Sequence, residues 1–479
     1  MKALLERSRS FGSRLAVGSS LADSRSWSYE ELWQLADRVA GYLSRRENPE
    51  APVALLGQKS PQAYATLLAC LRLGVPLVPI NPAWPVRRIE EVCRSVSTRS
   101  LLVESRYQHL LSSFLQNGVA TQKSDAGVGY IIFTSGTTGE PKGIPVRQSN
   151  LSAFVSAMEK IFSFCPDDRW TQSFDLSFDL AVGEIVLCLM TGGTLFPLER
   201  AQLSLLTPYW EQSRPTIWGS TPSMLEFVMN RELLCGSEWK DLKWSFICGE
   251  PLRFSTAKRW KSRFPAAQLF NFYGPSEATV YATVQEIKGD EDWAQDSIVP
   301  IGRPLPGMNI RVVGQDGRDV PAGEVGELRL QGDQVTTGYW RNPEFSAERF
   351  VGRPPWYRTG DRVRVNSDGS LEFCGRSDRQ IKFRGHRIEL DEIETVARRF
   401  LPGAALTALA IPENQNPSAL AVVIYGDSDL PVAALVREFR LTLPSYCQPI
   451  VYLSTDWPLN PSGKLDRQTL SERISKGIV

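Results

Sequence analysis

The feature that most constrains the fold is an alternation of short apolar runs, each ending in Gly or Ser, with stretches of helical spacing. "YEELWQLADRVAGYLSRR" (29–46) places apolar residues at helical spacing, and "PVALLG" (52–57) reads as a buried strand. "SPQAYATLLACLRLG" (60–74) reads as a helix closing on Gly74, and "VPLVPI" (75–80) as the next strand. The same kind of run returns in "TIWGS" (216–220), "WSFICG" (244–249) and "QLFNFYG" (268–274). Strand–helix–strand repetition demands a parallel sheet covered by helices, because parallel neighbours need a crossover connection. Ligands of such sheets gather outside the carboxyl ends of the strands, so the ends of these runs are expected to converge.

The pattern changes after about Pro300. "NIRVVGQDGRDVPAGEVGELRLQG" sets turn dipeptides, Asp316-Gly317 and Ala322-Gly323, between short strands, which predicts an antiparallel β region. A charge-dense stretch, 375–394, comes next. Beyond it "LTALAIP", "ALAVVIYG" and "PVAALVREFRLTL" give strand, helix and strand signals again. The expected class is α/β. A large N-terminal domain (1–376) holds layered parallel sheets with helices plus the β region. A small α+β C-terminal domain (379–479) follows a boundary near Asp378. At 479 residues more than one domain is expected.

Composition narrows the function. The 54 Lys and Arg nearly cancel the 53 Asp and Glu, leaving +1, so no bulk field favours nucleic acid or an anionic membrane. "MKALLERSRS" lacks the apolar core of a signal peptide, and no apolar run approaches the roughly 18 residues of a span. Eight cysteines without a CxxC pair read as buried reduced thiols of a cytoplasmic protein. His109 and His386, the only histidines, lie far apart, which argues against a histidine metal site or a Ser-His triad.

One stretch carries chemistry on its face. "YIIFTSGTTGEPKG" (130–143) joins a greasy strand to a loop rich in hydroxyls and glycine that ends in Pro141-Lys142-Gly143. Such loops hold phosphates, although a Ser/Thr/Gly loop alone is as readily a turn. It is not a Walker A loop. Lys142 follows a proline, which lacks the N–H a phosphate nest needs, and Gly143 stands where Ser or Thr would bind magnesium.

The loop resembles the signature of the adenylate-forming ligases, which include acyl-CoA synthetases, luciferases and the adenylation domains that load carrier proteins. Further motifs follow in the family's order: "WSYEEL" (27–32), "LRLGVPLVPIN" (71–81), "NFYGPSEATV" (271–280), "GELRLQGDQVTTGYW" (326–340), "YRTGDR" (357–362), "GRSDRQIKFRGHRIE" (375–389) and "NPSGKLDR" (460–467). The resemblance implies ATP and Mg2+ as cofactors. It also implies that Thr134, Ser135, Gly136, Thr137, Thr138, Gly139 and Lys142 cover the β- and γ-phosphates. Glu277 would bind magnesium, Tyr273 would stack on adenine beside Gly274, and Asp361 would take both ribose hydroxyls. Phe373 would join the nucleotide site, and Arg376 would support ribose and phosphate. Lys464 would bridge the carboxylate and α-phosphate, with Thr138 and Glu277 also at the reacting centre. Asp378 is the expected hinge of a mobile small domain, whose rotation would bring Gly385 to a tunnel for the pantetheine thiol.

"SFDLSFDLAVGEIVLCLMTGGTLF" (173–196) resembles the substrate stretch of amino-acid-activating members. Of its two FDL triplets the second has the family spacing to "TGGTL", which makes Asp179 the partner of a substrate ammonium; Asp175 is the alternative. By the same match Leu180, Gly183, Gly219, Phe246, Cys248, Phe272, Val280 and Tyr281, with Lys464, complete the pocket. None of the pocket-wall positions is charged, so an uncharged amino acid is expected. "STPS", "FICGEPL" and "YGPSEATV" look closest to D-alanine–carrier protein ligase, whereas Phe272 and Tyr281 depart from it. The expected acceptor is the phosphopantetheine of a separate carrier protein. A carboxylate–CoA ligase and a catalytically silent binding protein on the same fold are the alternatives.

Overall fold

The computed structural model describes residues 1–19, 25–98, 101–104, 127–134, 141–231, 233–234, 240–295, 297–412, 417–426, 430–455, 457–459 and 465–477. Within them the chain divides into two compact units. One comprises Met1–Pro82, Val96–Ile132 and Gly143–Cys374. The other comprises Ala83–Ser95, Phe133–Lys142 and Gly375–Val479.

The first unit is α/β. Its largest sheet has nine strands, and its central run of Gln268–Tyr273, Trp244–Ile247, Ile217–Ser220, Arg169–Gln172 and Thr194–Pro197 is parallel. Ile217, Trp244 and Gln268 lie in register, so "TIWGS", "WSFICG" and "QLFNFYG" end side by side, as their shared apolar-to-Gly pattern demands. A second sheet orders Leu101–Val103, Val53–Leu56, Leu77–Ile80, Val128–Thr134 and Lys142–Arg147. The strands Val53–Leu56 and Leu77–Ile80 are buried throughout, as parallel strands covered on both faces must be. A third, antiparallel sheet built on Met308–Val313, Val325–Gly332 and Trp356–Val365 forms the predicted β region.

Helix ends follow local chemistry. Helix Tyr29–Ser44 starts on a capping box, with Ser28 receiving the Glu31 amide while Glu31 receives that of Ser28. Helix Pro61–Leu73 is capped by Ser60, begins on proline and stops at Gly74, whose φ of 71° closes the turn.

In the second unit a three-stranded sheet orders Leu406–Ile411, Ala419–Tyr425 and Ile450–Ser454, with helices Leu390–Phe400, Val432–Thr442 and Arg467–Ser475. The order after residue 405 is strand, strand, helix rather than strand, helix, strand. "ALAVVIY" is too short and too rich in β-branched residues for a buried helix and pairs on both sides. Helix Val86–Ser95 belongs to this unit although it comes early in the chain. Its Arg88 meets Glu392 at 2.7 Å with both side chains buried, and Arg87 meets Glu438 at 2.9 Å. The seven cysteines among the described residues are all free. No described helix is long and apolar enough to cross a membrane.

Candidate active site

The site of the first unit forms where its parallel strands end. Helix Asp179–Thr191 is buried along its whole length, and Asp179 occupies its first turn, where the helix dipole favours a negative charge. Asp179 is 6% exposed and its Oδ2 has no hydrogen-bond partner. Burial raises its pKa to about 6; nearby Glu277 pushes the same way, while the Ser276 hydroxyl and the Val280 and Leu180 amides pull it back. Asp175 of the first triplet is satisfied instead. Its Oδ1 accepts from the Ser177 amide at 2.9 Å and hydroxyl at 2.6 Å, and its Oδ2 from Asn81 Nδ2 at 2.9 Å. Of the two carboxylates, only Asp179 keeps an oxygen without a hydrogen-bond partner.

Facing Asp179 is the turn after strand Gln268–Tyr273. Thr279 and Val280 adopt φ of 55° and 71°, unusual for β-branched residues and found where surroundings over-determine the backbone. Three features hold them there. A Cβ on Gly274 would lie 2.3 Å from the Val280 carbonyl oxygen, and one on Gly183 would lie 2.7 Å from Val280 Cγ1, so both glycines make room for the turn. The Thr279 hydroxyl donates to the Gln334 carbonyl at 2.6 Å, and Gln334 Nε2 donates to the Tyr281 carbonyl at 2.7 Å. Glu277 is fully buried and accepts from the Tyr339 hydroxyl at 2.7 Å.

The aromatic wall is contiguous. Tyr281 stacks on Phe272 at 4.2 Å, and Phe272 meets Phe246 edge-on at 5.2 Å. Phe246 pairs in register with Gly219, while Leu180 and Cys248 are buried close by. At the same end of strand Gln268–Tyr273, the Tyr273 hydroxyl donates to Asp361 Oδ2 at 2.5 Å, so the expected adenine and ribose residues meet directly. Phe373 is half-buried on strand Leu371–Arg376.

Thr134, Lys142, Arg376, Asp378 and Gly385 fall in the second unit. Thr134 ends one strand and buried Lys142 begins the next. Arg376 is clamped by Asp378 through two hydrogen bonds of 2.7 and 2.9 Å. Arg384 and Gly385, both at positive φ, form the two-residue turn of hairpin Gln380–Phe383/His386–Glu389, the geometry that suits twisted strands. Ser135, Gly136, Thr137, Thr138, Gly139 and Lys464 lie outside the described residues, as does His109.

Gln334, Tyr339 and Glu184 escaped sequence reasoning. The first two lie in the stretch "GDQVTTGYW", where a Gln and a Tyr among small residues signal a polar demand elsewhere. Glu184 lies inside the substrate stretch itself. Among the described residues no group of three His, Cys, Asp or Glu gathers as metal ligands.

The family described as "AMP-binding enzyme" matches residues 4–128 and 113–340. The chain is 31% identical over 477 residues to D-alanine--D-alanyl carrier protein ligase of Bacillus licheniformis, covering 93% of this chain and 94% of that protein. It is 30% identical over 468 residues to tyrocidine synthase 3 of Brevibacillus parabrevis, covering 93% of this chain but only 7% of that much longer protein. Its fold matches the Vibrio cholerae adenylation domain AlmE in complex with glycyl-adenosine-5'-phosphate, with a TM-score of 0.88, 24% identity and coverage of 99% and 97%. With the family description matching residues 4–128 and 113–340 and a relative matched over nearly its whole length, the chain belongs to the AMP-binding enzyme family.

Proposed function

We propose that this protein activates an uncharged amino acid with ATP and passes it to a carrier protein. The carboxylate of the amino acid attacks the α-phosphorus of ATP; the bond to the β-phosphate oxygen breaks, giving aminoacyl-AMP and pyrophosphate. The phosphopantetheine thiol of a separate carrier protein then attacks the acyl carbon, forming a thioester and releasing AMP and the thiol proton. The observation that carries this reading is Asp179, a buried carboxylate lacking a partner on Oδ2, close to Tyr281 of the buried cluster of Phe246, Phe272 and Tyr281. An acid without an amine gives no reason for it, because a buried charge is retained where something pairs with it.

The parts divide by chemistry. Asp179 fixes the ammonium and thereby orients the carboxylate. Tyr273 and Asp361, joined by their hydrogen bond, offer a ring for the base and two carboxylate oxygens for the ribose diol. Glu277, held by Tyr339, supplies one buried hard oxygen. That suits Mg2+, which keeps water and phosphate oxygens as its other ligands and would supply charge neutralisation at the phosphates. Lys464 and the loop around Thr138 are assigned by resemblance to the attacking carboxylate and the phosphates. Asp378 is assigned as the hinge between residues 1–376 and 379–479, by which Lys464 would leave after the first step and Gly385 would line the thiol's path.

Amino-acid-dependent exchange of labelled pyrophosphate into ATP tests the first step across the twenty common amino acids and D-alanine. One uncharged amino acid is expected to dominate. Exchange driven only by acids without an amine would sink the reading.

A further inference from the structure

A second buried carboxylate that no motif assigned lies near Tyr281 and Gly219. Glu184 is 4% exposed and neither of its oxygens has a hydrogen-bond partner. Its neighbours are engaged elsewhere. Gln172 Nε2 donates to the Phe174 carbonyl at 2.6 Å. Lys59 Nζ donates to the Ser173 and Leu198 carbonyls, both at 2.5 Å, and reaches Glu184 only through space. The Ser173 and Phe174 amides and the Gln172 side chain lower the carboxyl's pKa from nearby without closing a hydrogen bond of normal geometry. Leaving a buried polar group unmade is costly, which makes two orphaned oxygens on one residue informative.

The direction of the side chain is equally specific. A Cβ on Gly219 would lie 1.9 Å from Glu184 Oε1 and 3.5 Å from the Phe174 ring. The carboxyl therefore occupies the place that a side chain at position 219 would fill, and Gly219 is one of the positions that the family resemblance assigns to the pocket wall. Five residues after Asp179, Glu184 leaves the helix about 140° further round, so the two carboxyls approach from different sides. Tyr281 senses both: its hydroxyl pKa is raised by burial first and then by Cys248, Glu184 and Asp179.

We propose that Glu184 forms the floor of the side-chain pocket and that the favoured amino acid ends in an uncharged hydrogen-bond donor, an amide or a hydroxyl. This rests on the amino-acid reading and narrows it. Asp179 holds the α-ammonium, Phe246, Phe272 and Tyr281 flank the side chain, and Glu184 meets its tip. Burial holds Glu184 well above the usual carboxylate range, so an uncharged donor suits it best. Gly219 is then required because any larger residue would displace the carboxyl.

Pyrophosphate exchange with near-isosteric pairs tests this: threonine against valine, asparagine against leucine and glutamine against methionine. In at least one pair the donor-tipped member should lead in kcat/KM by about tenfold or more, because a site built around a polar group rejects the analogue that leaves it unpaired. Glu184→Leu should abolish that lead. Gly219→Ala, which removes no buried group but drives the carboxyl away, should do the same and covers the case in which Glu184→Leu fails to fold. Apolar members leading in every pair would overturn the proposal, as would a lead that survives both substitutions in folded protein. Desamino acids with the same tips separate the two readings. If they alone are activated with the donor preference intact, the amino-acid reading fails and the role of Glu184 stands.

Discussion

Phe174-Asp175-Leu176 and Phe178-Asp179-Leu180 are the same three letters four residues apart, and the fold uses them in opposite ways. Asp175 closes a local turn, with both oxygens occupied by Ser177 and Asn81. Asp179 starts a buried helix, and its Oδ2 has no partner. One carboxylate directs its hydrogen-bonding capacity at the protein, while the other keeps capacity for something the protein lacks. The triplet itself does not encode the difference. The neighbouring residues do: Ser177 folds back onto the first, whereas the apolar run after the second draws its helix into the core. A buried group left wanting is a better marker of a site than a motif.

The sharpest way to break this contrast is Asp179→Ala. Removing one partner of a buried charge pair costs roughly 3–5 kcal/mol, so kcat/KM for the amino acid should drop by at least ~100-fold. Steady-state pyrophosphate exchange measures it, and unchanged efficiency would transfer the role to Asp175. Gly274→Ala attacks the turn that covers Asp179. Its new Cβ meets backbone 2.3 Å away, which no rotamer change relieves. A loss of about 10- to 100-fold is expected together with a lower Tm, since overpacking costs typically ~1–3 kcal/mol. Normal activity there would mean that the strained turn has no part in the site.

Titration sharpens the contrast further. With a pKa raised to about 6, Asp179 is protonated in the free enzyme below that pH and cannot pair with an ammonium. The kcat/KM should therefore fall by about tenfold per unit of acidification below pH 6. Stability moves the other way. An acid whose folded pKa exceeds its unfolded one favours folding while protonated, so stability should decline between about pH 4 and pH 6 and then level off. Asp179→Asn should flatten that decline in denaturant titrations. The smallest effect belongs to Asp175→Ala. Losing its turn should cost about 1–2 kcal/mol of stability and change kcat/KM less than threefold or so. A hundredfold loss of activity would reverse the assignment of the two triplets.

Much of the fold was legible because its signals are local. Ser60, Pro61 and Gly74 mark both ends of one helix, and the apolar runs ending in Gly or Ser mark the strands that meet at the site. "ALAVVIYG" misled when read as a helix because its period is hard to judge over so few residues. Letters that the family pattern links do come together at Tyr273 and Asp361, which are 88 residues apart yet share a hydrogen bond. The site was not legible at Glu184. That residue's isolation depends on a glycine 35 positions later and on lysine and glutamine side chains turning to other partners, which no spacing reveals.

The early helix Val86–Ser95 has a consequence for how the protein is made. Arg88 and Glu392 are 304 residues apart in the chain. At about 5–20 residues per second, a ribosome exposes that arginine roughly 15–60 seconds before its glutamate exists. Throughout that interval Arg88, buried in the finished protein, lacks the carboxylate that pairs with it. The second unit thus cannot be closed by a chain growing from one end. It has to wait, holding Arg87 and Arg88 without their glutamates, and translation speed and chaperone access over the intervening stretch become determinants of yield that no property of the finished active site would disclose.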